Sequence, residues 1–413
     1  MSARRPARAR GGVDAIVRLA GPRLPVVSFL ARLPAALCPT GTLLMVTALA
    51  GVGRGGVVAG VLWAGQAVGG PLVGRLADRR GHRAVVLAAS VANALATAAL
   101  VLAALARLPV PVQAGCAVLT GFTVPQIGPL SRTRWIALAA RRPDGPELAA
   151  GALAFDTVVD ETSFVVGPAL VGVLAWAVHP AAGPVCAAVL TAVFGALFAL
   201  HPTAPAAAAR EPSAGRPRRG ALLVLLAVSV LQGVVFGATN TGVQYLARGD
   251  VGAGGLVWSA MGVSSAAAGF VLTSFSARFD LTARLRTALA VQALLSLVLL
   301  SVDTVAGATA AVAAIGLAVA PTLIAVFALA GRITPPERMG GAMTLLGSGL
   351  IAGQGLAVTA AGPLAGARGH TAAFALACTA GALALLLALT LARPRRFPPL
   401  PTAPNPLPAA PAT

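Results

Sequence analysis

Three carboxylates lie close together in an apolar stretch of this 413-residue chain. The segment FDTVVDETSF, residues 155–164, carries Asp156, Asp160 and Glu161. If it is helical, Asp156 and Asp160 share one face because they are four residues apart, and Glu161 points about 100° away. An ionised carboxylate is costly to bury in hydrocarbon, and neighbouring carboxylates oppose each other's ionisation. The cluster is therefore suited to taking up and releasing a proton, or to contacting a substrate.

A second interpretation of the same acids stays open. If the helix begins near residue 157, they lie at a membrane interface and pair with Arg132, Arg134, Arg141 or Arg142. Arg32, in the segment FLARLPAAL, also has two interpretations. It could face Asp156, Asp160 or an anionic substrate, or it could extend to the cytosolic surface if its helix begins at Leu33.

Composition places these residues in a membrane protein. Hydrophobic residues make up 57% of the chain, charged residues 10%, and the mean hydropathy is +0.85. Since roughly 20 apolar residues cross a bilayer as a helix, the sequence predicts an all-α integral membrane fold with twelve transmembrane helices. Their expected limits are 26–50, 56–76, 84–106, 111–131, 148–176, 184–200, 220–246, 255–275, 287–302, 306–330, 341–365 and 371–391.

The distribution of arginine predicts the orientation of these spans. All 31 basic residues are arginine, and 26 of them fall in the two tails and the even-numbered loops. Only Arg54, Arg107, Arg248 and Arg368 fall in odd-numbered loops, and Arg32 lies in or beside the first span. This bias predicts a multi-pass protein of the inner (plasma) membrane with both termini in the cytoplasm. It argues against a nucleic-acid partner, which would require a soluble basic face.

An internal repeat divides the chain into two halves. PELAAGAL at 146–153 and PERMGGAM at 336–343 are 190 residues apart, and Gly167-Pro168 and Gly362-Pro363 follow them. The offset aligns the three acids with Leu346, Leu350 and Ile351, so the carboxylates are not required by the scaffold. Parallel repeats place a substrate site between the halves. The expected domains are a basic tail at 1–24, a six-helix bundle at 25–200, a cytosolic linker at 201–220, a second six-helix bundle at 221–391 and a tail at 392–413.

The loop between the second and third spans carries a recognisable motif. GRLADRRGHR, residues 74–83, matches the pattern G-x-L-A-D-(R/K)-x-G-(R/K)-(R/K) except at His82. With twelve spans and a cytosolic central loop, the chain resembles the major facilitator superfamily over about residues 25–391. The resemblance implies two bundles related by a pseudo-twofold axis. It also implies a gating turn that latches the halves together on the cytosolic side, formed by Gly74, Asp78, Arg79, Gly81 and Arg83.

Each of several motif residues is also expected to have a role of its own. Gly74 and Gly81 are expected to let the chain turn tightly, and Asp78 to accept bonds from the start of a neighbouring helix. A loop that only sets orientation is the alternative. VVGPALVG at 166–173 resembles the Gly-Pro motif of proton-driven antiporters in this superfamily, and Gly167, Pro168, Gly362 and Pro363 are expected to permit close packing. Residues 111–130 lack the arginine of the drug exporters.

The predicted function is a secondary active transporter that exports a small organic molecule by alternating access, an antiporter driven by the proton motive force. A facilitator or importer with carboxylates that bind a cationic substrate is an alternative, and a transport-inactive membrane sensor is another. Neither an enzyme, a cofactor nor a metal site is expected. The cysteines and histidines lack metal-ligand spacing, and ATP-driven transport is excluded because a Walker A motif requires lysine, which the sequence lacks. The expected partners are the small molecule and the lipid bilayer, and the chain is expected to be a monomer. Polar candidates for the substrate cavity are Gln126, Gln232, Asn240, Gln244, Tyr245 and Gln354.

Overall fold

The computed structural model describes residues 19–143, 145–204, 219–250, 252–275, 280–334 and 339–391. Helices make up most of this described part, and eleven of them are long and apolar enough to cross a bilayer. A further helix, Ala253–Phe275, lies at the eighth predicted span. The spans, numbered 1 to 12, are Arg23–Ala50, Val52–Arg80, His82–Leu105, Val110–Phe122 with Ile127–Ala139, Gly145–Ala177, Ala182–Leu200, Arg219–Leu246, Ala253–Phe275, Leu281–Ser301, Val305–Ile333, Met339–Arg368 and His370–Thr390.

Span 4 differs most from its predicted limits. It was expected to end at residue 131, yet a second helical piece, Ile127–Ala139, continues it past a break at residues 123–126. The predicted span ended too early because the polar residues of this second piece are typical of a loop. As a result Arg132 and Arg134 lie within the fourth helix. Residues 111–130 contain no arginine, but the fourth span is longer than predicted and contains two beyond that range.

The arginine-rich motif is also more helical than predicted. Span 2 continues through Gly74 and Asp78 to Arg80, so Gly74 does not form a turn. Only Gly81 breaks the helix, with φ of 90°. Such positive φ values suit glycine, which has no Cβ to clash with the backbone. Gly51 and Gly369 form the same kind of joint between spans 1 and 2 and between spans 11 and 12.

Two ends of the molecule are distinguished by these joints. The arginine-rich side is the end that carries Gly81 and the Arg141–Arg142 turn. The opposite side is the end that carries Gly51 and Gly369. Spans run alternately from one side to the other along the chain.

Each half of the chain has its own apolar core. Two buried clusters draw only on residues before 205, around Trp135 and around Leu37. Two others draw only on residues after 218, around Leu285 and around Ile315. Many large apolar side chains remain exposed on the outer surface, as expected of helices that face lipid.

The two bundles contact each other through spans 2 and 11 and through spans 5 and 8. A Cβ placed on Gly56 would lie 2.6 Å from the Cα of Gly362, so only glycine allows this approach of spans 2 and 11. Gly172 of span 5 approaches the backbone of Gly252 and Gly255 at the start of span 8 equally closely. These contacts lie in the halves of the helices nearest the opposite side. The bundles are thus joined there.

Candidate functional site

Asp156 is the centre of a buried polar network in the N-terminal bundle. Its side chain is 2% exposed. Arg32 donates from Nη2 to Oδ1 at 2.5 Å and from Nη1 to the backbone oxygen at 3.0 Å. Ser131 Oγ and Trp135 Nε1 also donate to Oδ1, at 2.9 and 3.0 Å, and Arg132 Nε donates to Oδ2 at 3.2 Å. Four of these five bonds end on the carboxylate itself, and two of the four come from guanidinium groups.

Asp160 shares both arginines with Asp156 but is bound less completely. Arg132 Nη2 donates to its Oδ2 at 2.5 Å, and Arg32 Nη1 lies 3.5 Å from its Oδ1. The side chain of Asp160 is 28% exposed and that of Arg132 is 42% exposed. One aspartate is therefore enclosed, whereas its partner one turn along the helix borders open space.

Glu161 is the most open of the three acids. Its side chain is exposed, and it makes no ion pair within 4 Å among the described residues. It lies on the face of span 5 that contacts span 8, because Val165, four residues later, packs against Gly262. Glu161 therefore lies about one helical turn from a contact between spans 5 and 8.

Span 4 brings the donors to the acids because its second piece is helical. Gly128, Ser131, Arg132 and Trp135 lie on one face at spacings of three and four residues. Gly128 allows close approach, since a Cβ there would lie 3.2 Å from Asp160 Oδ1. Sequence reasoning did not identify Ser131 or Trp135, although this spacing would have revealed them if the helix had been extended past residue 131.

The arginine partners differ from those named as alternatives. Arg132 pairs with the acids, as the interface interpretation proposed, but Arg32 pairs with them as well. Arg134 points away and donates from Nη1 to the backbone oxygen of Phe198 at 3.0 Å, with its guanidinium 3.8 Å from that ring. Arg141 and Arg142 are exposed at the turn before span 5.

Arg32 does not extend to the surface. It is 4% exposed, and its helix begins at Arg23, nine residues earlier. The alternative that the helix starts at Leu33 is therefore wrong, and the arginine faces the acids because it lies well inside span 1. Ser28, one turn earlier, donates to Ser131 Oγ at 3.2 Å and extends the network.

The cavity candidates fall into separate environments. Gln232 and Gln292 of spans 7 and 9 exchange two amide hydrogen bonds of 3.2 and 3.0 Å, both buried. Gln244 donates to Asn240 Oδ1 at 3.5 Å along one face of span 7. Tyr245 lies near the opposite side, where the Arg248 guanidinium is 4.1 Å from its ring. The two remaining candidates, Gln126 at the break of span 4 and Gln354 of span 11, are half-buried.

The motif residues lie at the arginine-rich end of span 2 and the start of span 3. His82 Nε2 is 3.9 Å from Asp78 Oδ1 across the Gly81 joint. Arg79 and Arg83 are exposed near this joint. A Cβ on Gly74 would meet nothing within 4 Å.

The Gly-Pro pairs lie at helix contacts of two kinds. Gly167 packs inside the N-terminal bundle, where a Cβ would lie 2.7 Å from the Cβ of Ala36. The oxygen of Pro168 approaches Gly255 of span 8. Gly362 contacts Gly56, and the Cα of Pro363 lies near Gly53. Of the repeated segments, Pro336, Glu337 and Arg338 lie outside the described residues, as do both tails and most of the linker.

No protein family model matches the sequence. No curated protein matches it either.

Several solved structures resemble the chain over nearly its whole length. The human organic anion transporter MFSD10 (TETRAN) is 17% identical, with 89% of this chain and 99% of that chain covered and a TM-score of 0.60. A D-xylose-proton symporter is 14% identical, with 92% and 98% covered and a TM-score of 0.68. The nucleoside transporter NupG is 14% identical, with 89% and 98% covered and a TM-score of 0.67. The chain has the all-helical, two-bundle fold of the major facilitator superfamily.

Proposed function

We propose that this protein is a secondary transporter that exports a small, fairly apolar organic molecule in exchange for protons, by rocking its two bundles against each other. The observation that carries the proposal is the shared network of Asp156, Asp160, Arg32 and Arg132, with Glu161 open beside it. Charges inside a membrane protein are costly and usually functional. A network that links three helices of one bundle, next to the contact with the other bundle, is suited to coupling.

The three acids have different roles in this proposal. Asp156 holds Arg32 and Arg132 in place, because its carboxylate accepts four hydrogen bonds, two of them from these arginines. Asp160 and Glu161 carry the proton, since both reach open space. Protonation of Asp160 weakens its hold on Arg132, and neutral Glu161 can be enclosed when spans 5 and 8 close toward the arginine-rich side.

A second candidate function uses the same residues. Three carboxylates and two arginines leave one net negative charge beside open space, which favours a cationic substrate. In that case Glu161 binds the substrate itself, and the protein imports or equilibrates a cation without proton exchange. The substrates of the similar structures differ from one another, so the choice between the two candidate functions rests on the residues of this chain.

The arginines and the motif bear on orientation and gating. We infer that the arginine-rich side is cytosolic in the plasma membrane, because arginine is retained on that side. The motif residues Gly74, Asp78, Arg79, Gly81 and Arg83, at the end of span 2 and the start of span 3, then join the bundles when the transporter opens outward. The contacts between spans 2 and 11 on the opposite side correspond to the other state, in which the transporter opens toward the cytosol.

Transport in inverted membrane vesicles tests the coupling. A panel of small apolar fluorescent compounds, neutral and cationic, is supplied with and without an imposed pH gradient. The wild type is expected to accumulate at least one compound faster with the gradient. Asp160→Asn combined with Glu161→Gln is expected to abolish the response to the gradient.

Asp280→Asn is the matched control. Asp280 caps span 9 through a 3.2 Å bond from the backbone nitrogen of Ala283, and asparagine keeps such a cap. This variant should keep the wild-type response. Gradient-driven transport that survives every single and combined neutralisation of Asp160 and Glu161 would disprove proton coupling there. Transport of cations that never responds to the gradient would favour the second function.

A further inference from the structure

A small cavity lies on the opposite side of the N-terminal bundle, away from the acidic network. Its volume is about 110 Å³, and its lining includes Arg54 and Arg107. Since a water needs roughly 10–15 Å³ of such space, several non-hydrogen atoms fit. The sequence has only four arginines in the loops predicted for this side, and two of them line the same cavity.

Within the described part of the chain, the two guanidinium groups have no acidic counterpart. Among the described residues, no carboxylate forms an ion pair with Arg54 or Arg107 within 4 Å. Arg54 also lies in the first turn of span 2, where the helix dipole favours a negative charge over a positive one. Both features leave an excess of positive charge around the cavity. An anion in the cavity would neutralise it.

A buried amide in the wall has an unused acceptor. Gln113 is 5% exposed, and its Nε2 donates to the backbone oxygen of Leu108 at 2.8 Å. Its Oε1 is buried without a hydrogen-bond partner. A buried acceptor left without a donor is costly, so a ligand that supplies an N–H or O–H donor would satisfy it.

The backbone conformation of Arg107 is a further observation, besides the unused acceptor, that points to a binding role for this cavity. Arg107 has φ of 53°, and every other positive φ in the described chain belongs to a glycine. Large side chains rarely adopt this conformation, and such outliers cluster where function requires them. At the joint between spans 3 and 4, this chain therefore keeps a guanidinium at a position that glycine would fill with less strain.

We propose that this cavity binds a phosphate group that also carries a hydrogen-bond donor. Arg54 and Arg107 would hold the phosphate oxygens, and Gln113 Oε1 would accept from the donor. Val46, Leu49 and Ala104 form an apolar part of the wall that suits the glycerol and acyl region of a lipid. Two sources share this chemistry, namely the head group of phosphatidylethanolamine and free hydrogen phosphate.

Thermal unfolding of the purified full chain in delipidated detergent micelles tests the site. Phosphatidylethanolamine, phosphatidylcholine and inorganic phosphate are each titrated. The wild type is expected to gain several degrees with phosphatidylethanolamine and less with phosphatidylcholine, which lacks the N–H donor. Arg54→Gln and Arg107→Gly are each expected to weaken the apparent affinity about tenfold, as for loss of one charge-assisted hydrogen bond.

Arg107→Gly separates binding from folding. Glycine relieves the positive φ, so this variant should unfold no earlier than the wild type without ligand while its response to lipid is reduced. Arg368→Gln, which changes an exposed arginine of the same side outside the cavity, should keep the wild-type response.

The titrations also identify the source. Stabilisation by phosphatidylethanolamine but not by inorganic phosphate assigns the site to a lipid head group. Equal stabilisation by inorganic phosphate assigns it to the free anion. If neither stabilises the wild type, or if Arg368→Gln loses as much affinity as Arg54→Gln, the site does not exist.

Discussion

At the scale of single residues, the carboxylate of Asp156 is notable for the four hydrogen bonds that it accepts. Arg32, Ser131, Arg132 and Trp135 all donate to it. Removing one partner of a buried ion pair leaves a charge without compensation. The side chain is therefore first a structural element of the N-terminal bundle, and in the proposed function the exchangeable proton belongs to its neighbours on span 5.

Asp156→Asn tests this division. The variant leaves Arg32 buried without its closest counter-charge, so we expect a loss of about 3–5 kcal/mol in the free energy of unfolding. Glu161→Gln, on the exposed side of the same helix, should change it by less than about 0.5 kcal/mol. Thermal and denaturant unfolding of the purified protein measures both. Equal stability of the two variants would contradict the role of Asp156 as an anchor.

Sequence reasoning identified the acids but not their environment. Asp156, Asp160 and Glu161 are recognisable because charge is rare in an apolar segment. Their partners were uncertain because a boundary error of a few residues decides whether Arg132 belongs to a helix or to a loop. The position of Arg32 depends on packing between spans 1 and 5, which are more than 100 residues apart in the chain.

At the scale of elements, the joint between spans 2 and 3 uses one of its two motif glycines. Gly81 takes a positive φ, whereas Gly74 is helical with open space around it. The sequence motif predicted turns at both because glycine is the usual turn residue. It cannot show that span 2 remains helical up to Arg80.

Alanine substitutions at the two glycines should therefore have opposite effects. Gly81→Ala places a Cβ at a positive φ, and we expect a loss of about 1 kcal/mol. Gly74→Ala replaces glycine inside a helix, and we expect a gain of roughly 0.5–1 kcal/mol. Thermal unfolding of the two purified variants and the wild type measures these differences in stability. A destabilised Gly74→Ala would show that this glycine makes a contact in another state of the protein.

The contact between spans 2 and 11 depends on a close approach of the two helix backbones. Gly362→Leu should hold these helices apart, because its Cβ would lie 2.6 Å from the Cα of Gly56. A cysteine in place of the buried Ala59, in a background without the four native cysteines, should then react faster with a maleimide. Gly347→Leu, on the same helix where a Cβ meets nothing within 4 Å, is the control. An unchanged labelling rate in Gly362→Leu would show that this contact does not join the bundles.

At the scale of the whole molecule, composition and the long continuous apolar runs predicted the fold class, because only helices and closed barrels satisfy their backbone polar groups in lipid. The side on which the bundles meet could not be predicted. It depends on contacts between distant helices, such as Val165 with Gly262, that do not alter hydropathy. Transport by rocking requires that these contacts separate and re-form.

A reversible crosslink across this contact tests the rocking movement. Val165→Cys and Gly262→Cys, with the native cysteines replaced, put thiols on spans 5 and 8 where a Cβ of residue 262 lies 3.4 Å from the Cα of residue 165. Oxidation should stop transport in vesicles, and reduction should restore it. The control pair, Val171→Cys with Gly183→Cys, joins spans 5 and 6 within one bundle at a similar distance of 3.6 Å. Because that pair moves as one body, its oxidation should leave transport intact. Transport that continues while the first pair is crosslinked would mean that the bundles do not separate here, and alternating access would require a different moving element.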